Sequence, residues 1–176
     1  MDPLFSGDIC LRPLAAHDVA AFVDAARESH ATAGRWMSWC HADYSIQEAQ
    51  AWFARAANSL QNQMAYELGI FTSSGSILLG GVGLNQFNRE HNFCNLGYWV
   101  RESRQGRGIA TRASRALVDF GFRELKLARI EIVVPQGNLP SQRVAQKIGA
   151  TFECVARNRL VVNHHSVAAA VYSLIP

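Results

Sequence analysis

A glycine-rich turn between a strand and a helix is the feature that most constrains what this chain can fold into. Residues 92–100 have the composition of a strand, and residues 105–110 (QGRGIA) form the turn. Small and apolar side chains then recur at helical spacing from Ile109 to Phe120. Such a turn directs free backbone N–H groups and the positive end of the helix dipole at one point. The sequence therefore predicts a site for a phosphate or pyrophosphate.

Two other kinds of phosphate-binding turn are disfavoured by the residues present. A Walker loop ends in Gly-Lys-Ser/Thr, which this turn lacks. A dinucleotide fold needs G-x-G-x-x-G inside repeated parallel βαβ units, with an acidic residue about 20 positions later. Here Gly106 and Gly108 are followed by Thr111, and no such series of units surrounds them. The pattern that fits is Q-x-x-G-x-A.

In this form the turn resembles the pyrophosphate loop of the GNAT superfamily of N-acetyltransferases, which bind acetyl-coenzyme A. The resemblance extends over nearly the whole chain, to the RimJ/RimL-type branch that acetylates the N-termini of ribosomal proteins. Besides the loop it rests on six elements in the family's order: residues 9–14, Asp18 as the acidic cap of the first helix, and residues 34–39, 96–100, 137–150 and 172–173.

The predicted fold is one α+β domain over residues 1–176, with an α/β/α arrangement. Periodicity, capping boxes and turn residues give helices near 18–27, 46–60, 109–125 and 140–148. Strands are predicted near 9–14, 65–72, 76–87, 92–101, 129–135, 151–160 and 166–175. This order implies a mixed, mainly antiparallel central sheet of about seven strands with about four helices on its two faces. The resemblance adds that the central strands splay apart.

The resemblance also implies the contacts of acetyl-CoA. Free backbone groups of the strand at Trp99, Val100 and Arg101 would hold the pantetheine arm and the acyl carbonyl. Backbone N–H groups of the loop would hold the pyrophosphate; its residues are Gln105, Gly106, Arg107, Gly108, Ile109, Ala110 and Thr111. The side chains of Arg104, Arg107 and Arg112 would add charge there, or they are simply solvated. Asn138 would bind the pantetheine, or it only caps the helix that follows.

By the same resemblance, Ser141 is the predicted donor to the departing thiolate. Its alternative role is that of a first-turn serine that satisfies backbone groups. The base is harder to assign, because the acidic positions of the RimL-like pattern are filled by Leu160, Asn95 and Ala168. The remaining candidates are Glu67, which is taken as the catalytic carboxylate, and His41, Asp43 and His91. Glu67 lies mid-strand, where it could also face solvent, and a water chain could replace a dedicated base.

Trp36 and Trp39 are predicted to pack in the core or to form an apolar wall of the acceptor pocket. The expected acceptor is a primary amine, either a protein N-terminus or a small molecule. The competing hypothesis is a non-catalytic acyl-CoA-binding module that has lost its base. Asn138 and Ser141 favour the enzyme, since phosphate binding alone would not need them.

Composition limits the other classes of function. A formal net charge of +3 without a basic helix gives no reason to expect a nucleic-acid partner. No apolar run approaches the roughly 18 residues of a membrane span, and the N-terminus is not that of a signal peptide. The four cysteines lack C-x-x-C spacing, so they indicate free thiols of a reducing cytoplasm. No metal site is expected, and the protein is expected to be a monomer or homodimer.

Overall fold

The computed structural model describes residues 1–176 as an eight-stranded sheet with helices on both faces. The strands are β1 (Leu4–Ser6), β2 (Ile9–Pro13), β3 (Tyr66–Thr72), β4 (Leu78–Asn88), β5 (Phe93–Val100), β6 (Arg129–Pro135), β7 (Thr151–Val162) and β8 (His165–Leu174). The helices are α1 (Val19–Glu28), α2 (Ile46–Gln61), α3 (Ile109–Arg123) and α4 (Leu139–Lys147). Across the sheet the strand order is β1-β2-β3-β4-β5-β6-β8-β7. No helix has both the length and the apolar character needed to cross a membrane.

The predicted mixed, mainly antiparallel sheet with four helices is confirmed, and the strand count rises from about seven to eight. The additional strand is β1, which forms a hairpin with β2 around Gly7, a residue with φ of 61°. Asp18 is the N-cap residue of α1, as predicted, but its side chain makes no capping bond to the helix. It accepts instead from the Ala15 N–H at 2.8 Å and from both ends of the Arg12 guanidinium at 2.7 and 2.8 Å.

Two apolar clusters hold the helices on opposite faces of the sheet. The stripe Ile109, Ala113 and Leu117 of α3 is buried in the larger cluster, against strands β2 to β6. Helices α1 and α2 contribute to the smaller cluster, in which Phe22 and Phe53 meet edge to face with ring centroids 5.3 Å apart. The sheet therefore has a different helix pair on each side.

The one parallel contact of the sheet, between β5 and β6, is short. It covers only Phe93 to Asn95 on β5 and Arg129 to Glu131 on β6. Beyond that point residues 96–100 pair only with β4, and residues 132–135 pair only with β8. The two central strands therefore splay apart, as predicted, and leave backbone N–H and C=O groups without sheet partners along the gap.

Candidate active site

The glycine-rich turn has the geometry of an anion site. Residues 106–111 make no backbone hydrogen bond through their N–H groups, and the first such bond of the helix runs from Arg112 N to Gly108 O. Gly106 and Gly108 have φ of 75° and 73°, a left-handed conformation that is costly for other residues. A Cβ added at Gly106 would meet no atom within 4 Å, so the turn is open to a ligand at this residue. The turn can therefore bind a phosphate group through backbone donors.

Side chains around this turn fasten it to the rest of the protein. Gln105 Nε2 donates to the Val100 carbonyl at 3.0 Å, and Arg112 donates to the Arg107 carbonyl at 3.0 Å. Arg112 also pairs with Asp8 at 3.1 Å. Of the three arginines, Arg112 is thus engaged within the protein, and it supports the loop from behind. The exposed Arg107 makes one long contact, to the Ser103 carbonyl at 3.5 Å, and its other donors stay available to an anion.

Arg101 does not fit its predicted role in holding pantetheine through free backbone groups. Its N–H already donates to the Leu79 carbonyl at 2.9 Å, and its carbonyl accepts from Arg104 N at 2.9 Å. Its guanidinium pairs with Glu28, which also accepts from the Ser103 N–H at 2.8 Å. Arg101 therefore attaches the end of β5 to α1, because the chain turns there away from the splay.

The start of α4 brings a hydroxyl pair to the gap between β5 and β6. Asn138 is the N-cap, and its side-chain oxygen accepts from the Ser141 N–H at 3.2 Å. The Ser141 hydroxyl lies 3.0 Å from the Tyr98 hydroxyl, which also donates to the Ser141 carbonyl at 2.9 Å. Asn138 thus has the capping role, and its amide nitrogen makes no hydrogen bond within the protein, so it can still donate to a ligand.

Tyr98 is a site residue that sequence reasoning missed. It lies on the splayed part of β5, and its hydroxyl crosses to α4. Burial raises the pKa of Tyr98 to about 12, although the hydrogen bond to Ser141 opposes the shift. The sequence did contain a signal for it. Tyr98 precedes Trp99 on a predicted central strand, and a tyrosine on such a strand needs a partner for its hydroxyl.

A cavity of about 430 Å³ lies on the α1–α2 side of the sheet, beside β5. Its lining includes three glycines on adjacent strands: Gly81 and Gly83 on β4 and Gly97 on β5. Aromatic side chains form much of the wall, namely Phe22, Trp39, Tyr44, Trp52, Tyr98 and Trp99. The charged groups in the lining are Glu48, Arg55 and Glu67. This lining suits a ligand that has an apolar body and a polar group.

The two tryptophans predicted as substrate contacts have separate positions. Trp39 lines the cavity and also packs in the core, with its ring centroid 5.3 Å from that of Trp99. Trp36 does not line the cavity. Its ring lies beside Gly137, where an added Cβ would come within 3.4 Å of it. The acceptor-wall prediction therefore fits Trp39 and does not fit Trp36, which lies against the turn that precedes Asn138.

Glu67 faces the cavity and not bulk solvent. Its carboxylate extends from β3 over Gly83 on β4, where any Cβ would overlap it. Glu67 Oε1 accepts from Asn85 Nδ2 at 2.8 Å. Burial raises the pKa of Glu67, and the hydrogen bond from Asn85 partly opposes that shift. A carboxyl group with a raised pKa in a cavity is a candidate general base.

None of the other candidates for the base lines this cavity. His41 contacts Glu48 at 3.0 Å, and Asp43 and His91 are exposed. Of the positions that carry an acid in the RimL-like pattern, Leu160 lies on β7 and Ala168 on β8. Glu67 and Tyr98 are thus the two titratable groups of the sheet that border the cavity.

Comparisons of the sequence and of the structure with known proteins both find acetyltransferases. The acetyltransferase (GNAT) domain model matches residues 8–151. The inferred N-acetyltransferase YjcK of Bacillus subtilis is 36% identical over 121 residues, which cover 68% of this chain and 67% of that protein. An inferred ribosomal-protein-serine acetyltransferase of Vibrio cholerae is 31% identical with a TM-score of 0.85, over 99% of this chain and 98% of that one. The ribosomal alpha-N-protein acetyltransferase RimL, solved with coenzyme A, has a TM-score of 0.90 over 99% and 98% of the two chains. At 22% identity, this last likeness shows a shared fold.

Proposed function

This chain belongs to the GNAT family of acetyltransferases, as its sequence predicted, and we propose that it acetylates a primary amine held in the aromatic cavity. The observation that carries the proposal is the position of β5. This strand ends near the anion-binding turn, borders the splay, and contributes Gly97, Tyr98 and Trp99 to the cavity wall. A thioester along the splay would therefore meet an amine in the cavity at β5.

The residues of the chain fit acetyl-CoA as co-substrate. The N–H groups of residues 106–111 would bind the pyrophosphate, and the unpaired edge of β5 together with Asn138 would bind the pantetheine. When bound, acetyl-CoA supplies an acyl group activated as a thioester. Glu67 takes the proton that the attacking nitrogen loses as the C–N bond forms, directly or through one water. The Ser141 hydroxyl donates to the sulfur as the C–S bond breaks, while the Tyr98 hydroxyl turns its single proton from the Ser141 carbonyl to the Ser141 hydroxyl oxygen, 3.0 Å away.

The lining of the cavity supports an acceptor whose amine is attached to an apolar or aromatic group. Aromatic rings surround the space, and Glu67 lies among them as the carboxylate on the sheet side, where it would face the amine. A protein N-terminus is the second candidate acceptor. It is favoured by the 31% identity, over 99% of this chain, to the Vibrio cholerae protein whose name specifies a ribosomal-protein serine.

The test is release of the CoA thiol from acetyl-CoA, with acceptors that differ in apolar character. Tryptamine and 2-phenylethylamine should react faster than spermidine, and a short peptide with N-terminal serine tests the second candidate. Gly108→Val is the control for binding, since a β-branched side chain is strained at a φ of 73°. Coenzyme binding without thiol release for any of the amines would instead support a non-catalytic binding module.

A further inference from the structure

A chain of three polar side chains crosses the sheet beneath the cavity. Asn95 Nδ2 on β5 donates to Asn85 Oδ1 on β4 at 3.0 Å. Asn85 Nδ2 donates in turn to Glu67 Oε1 on β3 at 2.8 Å. Asn85 and Asn95 are opposite each other in the β4–β5 register, so their side chains share one face of the sheet.

The direction of this chain fixes the orientation of the Asn85 amide. An asparagine amide can present either its oxygen or its nitrogen to a neighbour. Since Asn95 donates to the oxygen of Asn85, the nitrogen of Asn85 is turned towards Glu67. The opposite orientation would place two acceptors, the amide oxygen and the carboxylate, against each other. Asn95 therefore acts on Glu67 through Asn85.

Gly83 leaves open the space that the Glu67 carboxylate occupies. Glu67 and Gly83 are paired residues of β3 and β4, and the Glu67 side chain lies where a Gly83 side chain would be. The carboxylate thus reaches β4 and stands about one strand spacing, ~4.8 Å, from β5. The neighbouring Gly97 on β5 differs, because a Cβ there would make only an ordinary contact, at 3.8 Å, with Asn85.

A β-bulge begins immediately after Asn85. The β4–β5 register shifts between Asn85 and Asn88, and Gln86 within the bulge has φ of 51°. Asn85 and Asn95 are the last regular pair before this shift. Bulges redirect the side chains next to them. This bulge therefore lies where the Asn85 amide has to be directed at Glu67.

We propose that Gly83, Asn85 and Asn95 are positioning residues, which together hold the Glu67 carboxylate above β4 to accept the proton of the acceptor amine. This inference rests on the proposed function for the role of Glu67, whereas the contacts themselves do not depend on it. The family pattern has an acid at the position of Asn95. Here Glu67, which lies two strands away, takes its place, and the Asn85 amide connects Glu67 to Asn95.

The titration of Glu67 reports on these contacts. Burial raises its pKa, and the Asn85 donor lowers it by stabilising the charged form. Other ionisable groups share the two cavities that Glu67 borders: Glu48 and Arg55 on α2, Tyr44 before α2, Tyr66 on β3, Tyr98 on β5 and the amino group of Met1. None of them hydrogen-bonds Glu67, so loss of the Asn85 donor should dominate any change.

The decisive experiment is a carbon-13 NMR titration of glutamate side-chain carboxyl groups, with the Glu67 signal assigned by its loss in Glu67→Gln. Asn85→Ala should raise the Glu67 pKa by roughly one to two units, the value of one hydrogen bond to a charged group. Asn95→Ala should raise it less, because Asn85 remains but is free to turn. Gly97→Ala is the matched control for an added methyl group, and it should leave the titration unchanged.

The same variants are then assayed for kcat/KM against pH, with tryptamine as acceptor. The acid limb of the Asn85→Ala profile should move up with the pKa, and Gly83→Ala should lower kcat more than it raises KM. Asn85→Leu also removes the donor but keeps a side chain of similar size, and it replaces the alanine variant if that protein does not fold. An identical Glu67 titration in wild type and the Asn85 variants would overturn the inference. Failure of the wild type to acetylate any amine would overturn the proposed function and leave the titration result intact.

Discussion

The contact between Tyr98 and Ser141 predicts a specific pattern in a double-mutant cycle. If the Ser141 hydroxyl donates to the leaving sulfur, Ser141→Ala should lower kcat by about 100-fold or more, up to the roughly 10,000-fold reached by general acids. KM for acetyl-CoA should change little, since this donor acts mainly in the transition state. Tyr98→Phe removes the group that orients the serine, so it should lower kcat by a smaller factor.

The structure indicates that these losses are not due to unfolding. In Ser141→Ala the Tyr98 hydroxyl keeps its bond to the carbonyl of residue 141, at 2.9 Å. No buried donor is then left without a partner, and the stability cost should stay within about 1 kcal/mol. Because burial raises the pKa of Tyr98 to about 12, its hydroxyl stays protonated at neutral pH. The effect of Tyr98→Phe on kcat should thus be independent of pH from about pH 6 to 9.

The assay is steady-state thiol release for wild type, both single variants and the double variant. If Tyr98 acts only through Ser141, the double variant should be about as slow as Ser141→Ala alone, since residues that act as one unit are not additive. Losses in kcat that multiply fully would refute this arrangement. An unchanged kcat in Ser141→Ala would reduce the serine to a first-turn residue of α4.

Three further predictions concern the loop, the base and the fold. Coenzyme A at about 100 times its Kd should stabilise the protein by roughly 2.7 kcal/mol, seen as a raised Tm, and Gly108→Val should abolish that rise. Glu67→Gln should lower kcat/KM by about 100-fold and remove the acid limb of its pH profile; a small loss, with activity that climbs towards the pKa of the amine, would favour a water chain. Burial acts to raise the pKa of Asp18, but the bonds from Arg12 and the Ala15 N–H lower it overall. Stability from this depressed pKa is present above the unfolded value of about 3.9 and is lost as pH falls through the folded value. Asp18→Asn should cost about 3 kcal/mol in urea unfolding at neutral pH, and the variant should lose less stability than wild type on acidification.

The sequence predicted those features that depend on neighbouring residues. The loop follows from Gly106 and Gly108, since a tight turn before a helix is a local requirement. Most strands and all four helices were also predicted, since their periodicity and caps are local. The three-residue strand β1 was missed because it is too short to show alternation.

The features that sequence reasoning could not reach depend on distant contacts. Tyr98 and Ser141 are 43 residues apart, and they meet only because β5 and β6 separate. Trp36 and Trp39 are close in sequence, yet one lies at Gly137 and the other in the cavity. Neither relation follows from spacing along the chain.

The proposed use of Glu67 in place of the missing acid has a physical basis in the glycines of β4. An acid on β5 would face the amine directly, whereas one on β3 has to cross the intervening strand. A side chain at position 83 would block that path, and Gly83 leaves it open. Glycine in a strand costs about 0.5–1 kcal/mol relative to alanine, so the open path lowers stability. Gly83 and its neighbours Gly81 and Gly97 also provide the floor on which the acceptor cavity rests. The absence of side chains there leaves space beside the Glu67 carboxylate, and this is why we propose that an acid can serve the site from two strands away.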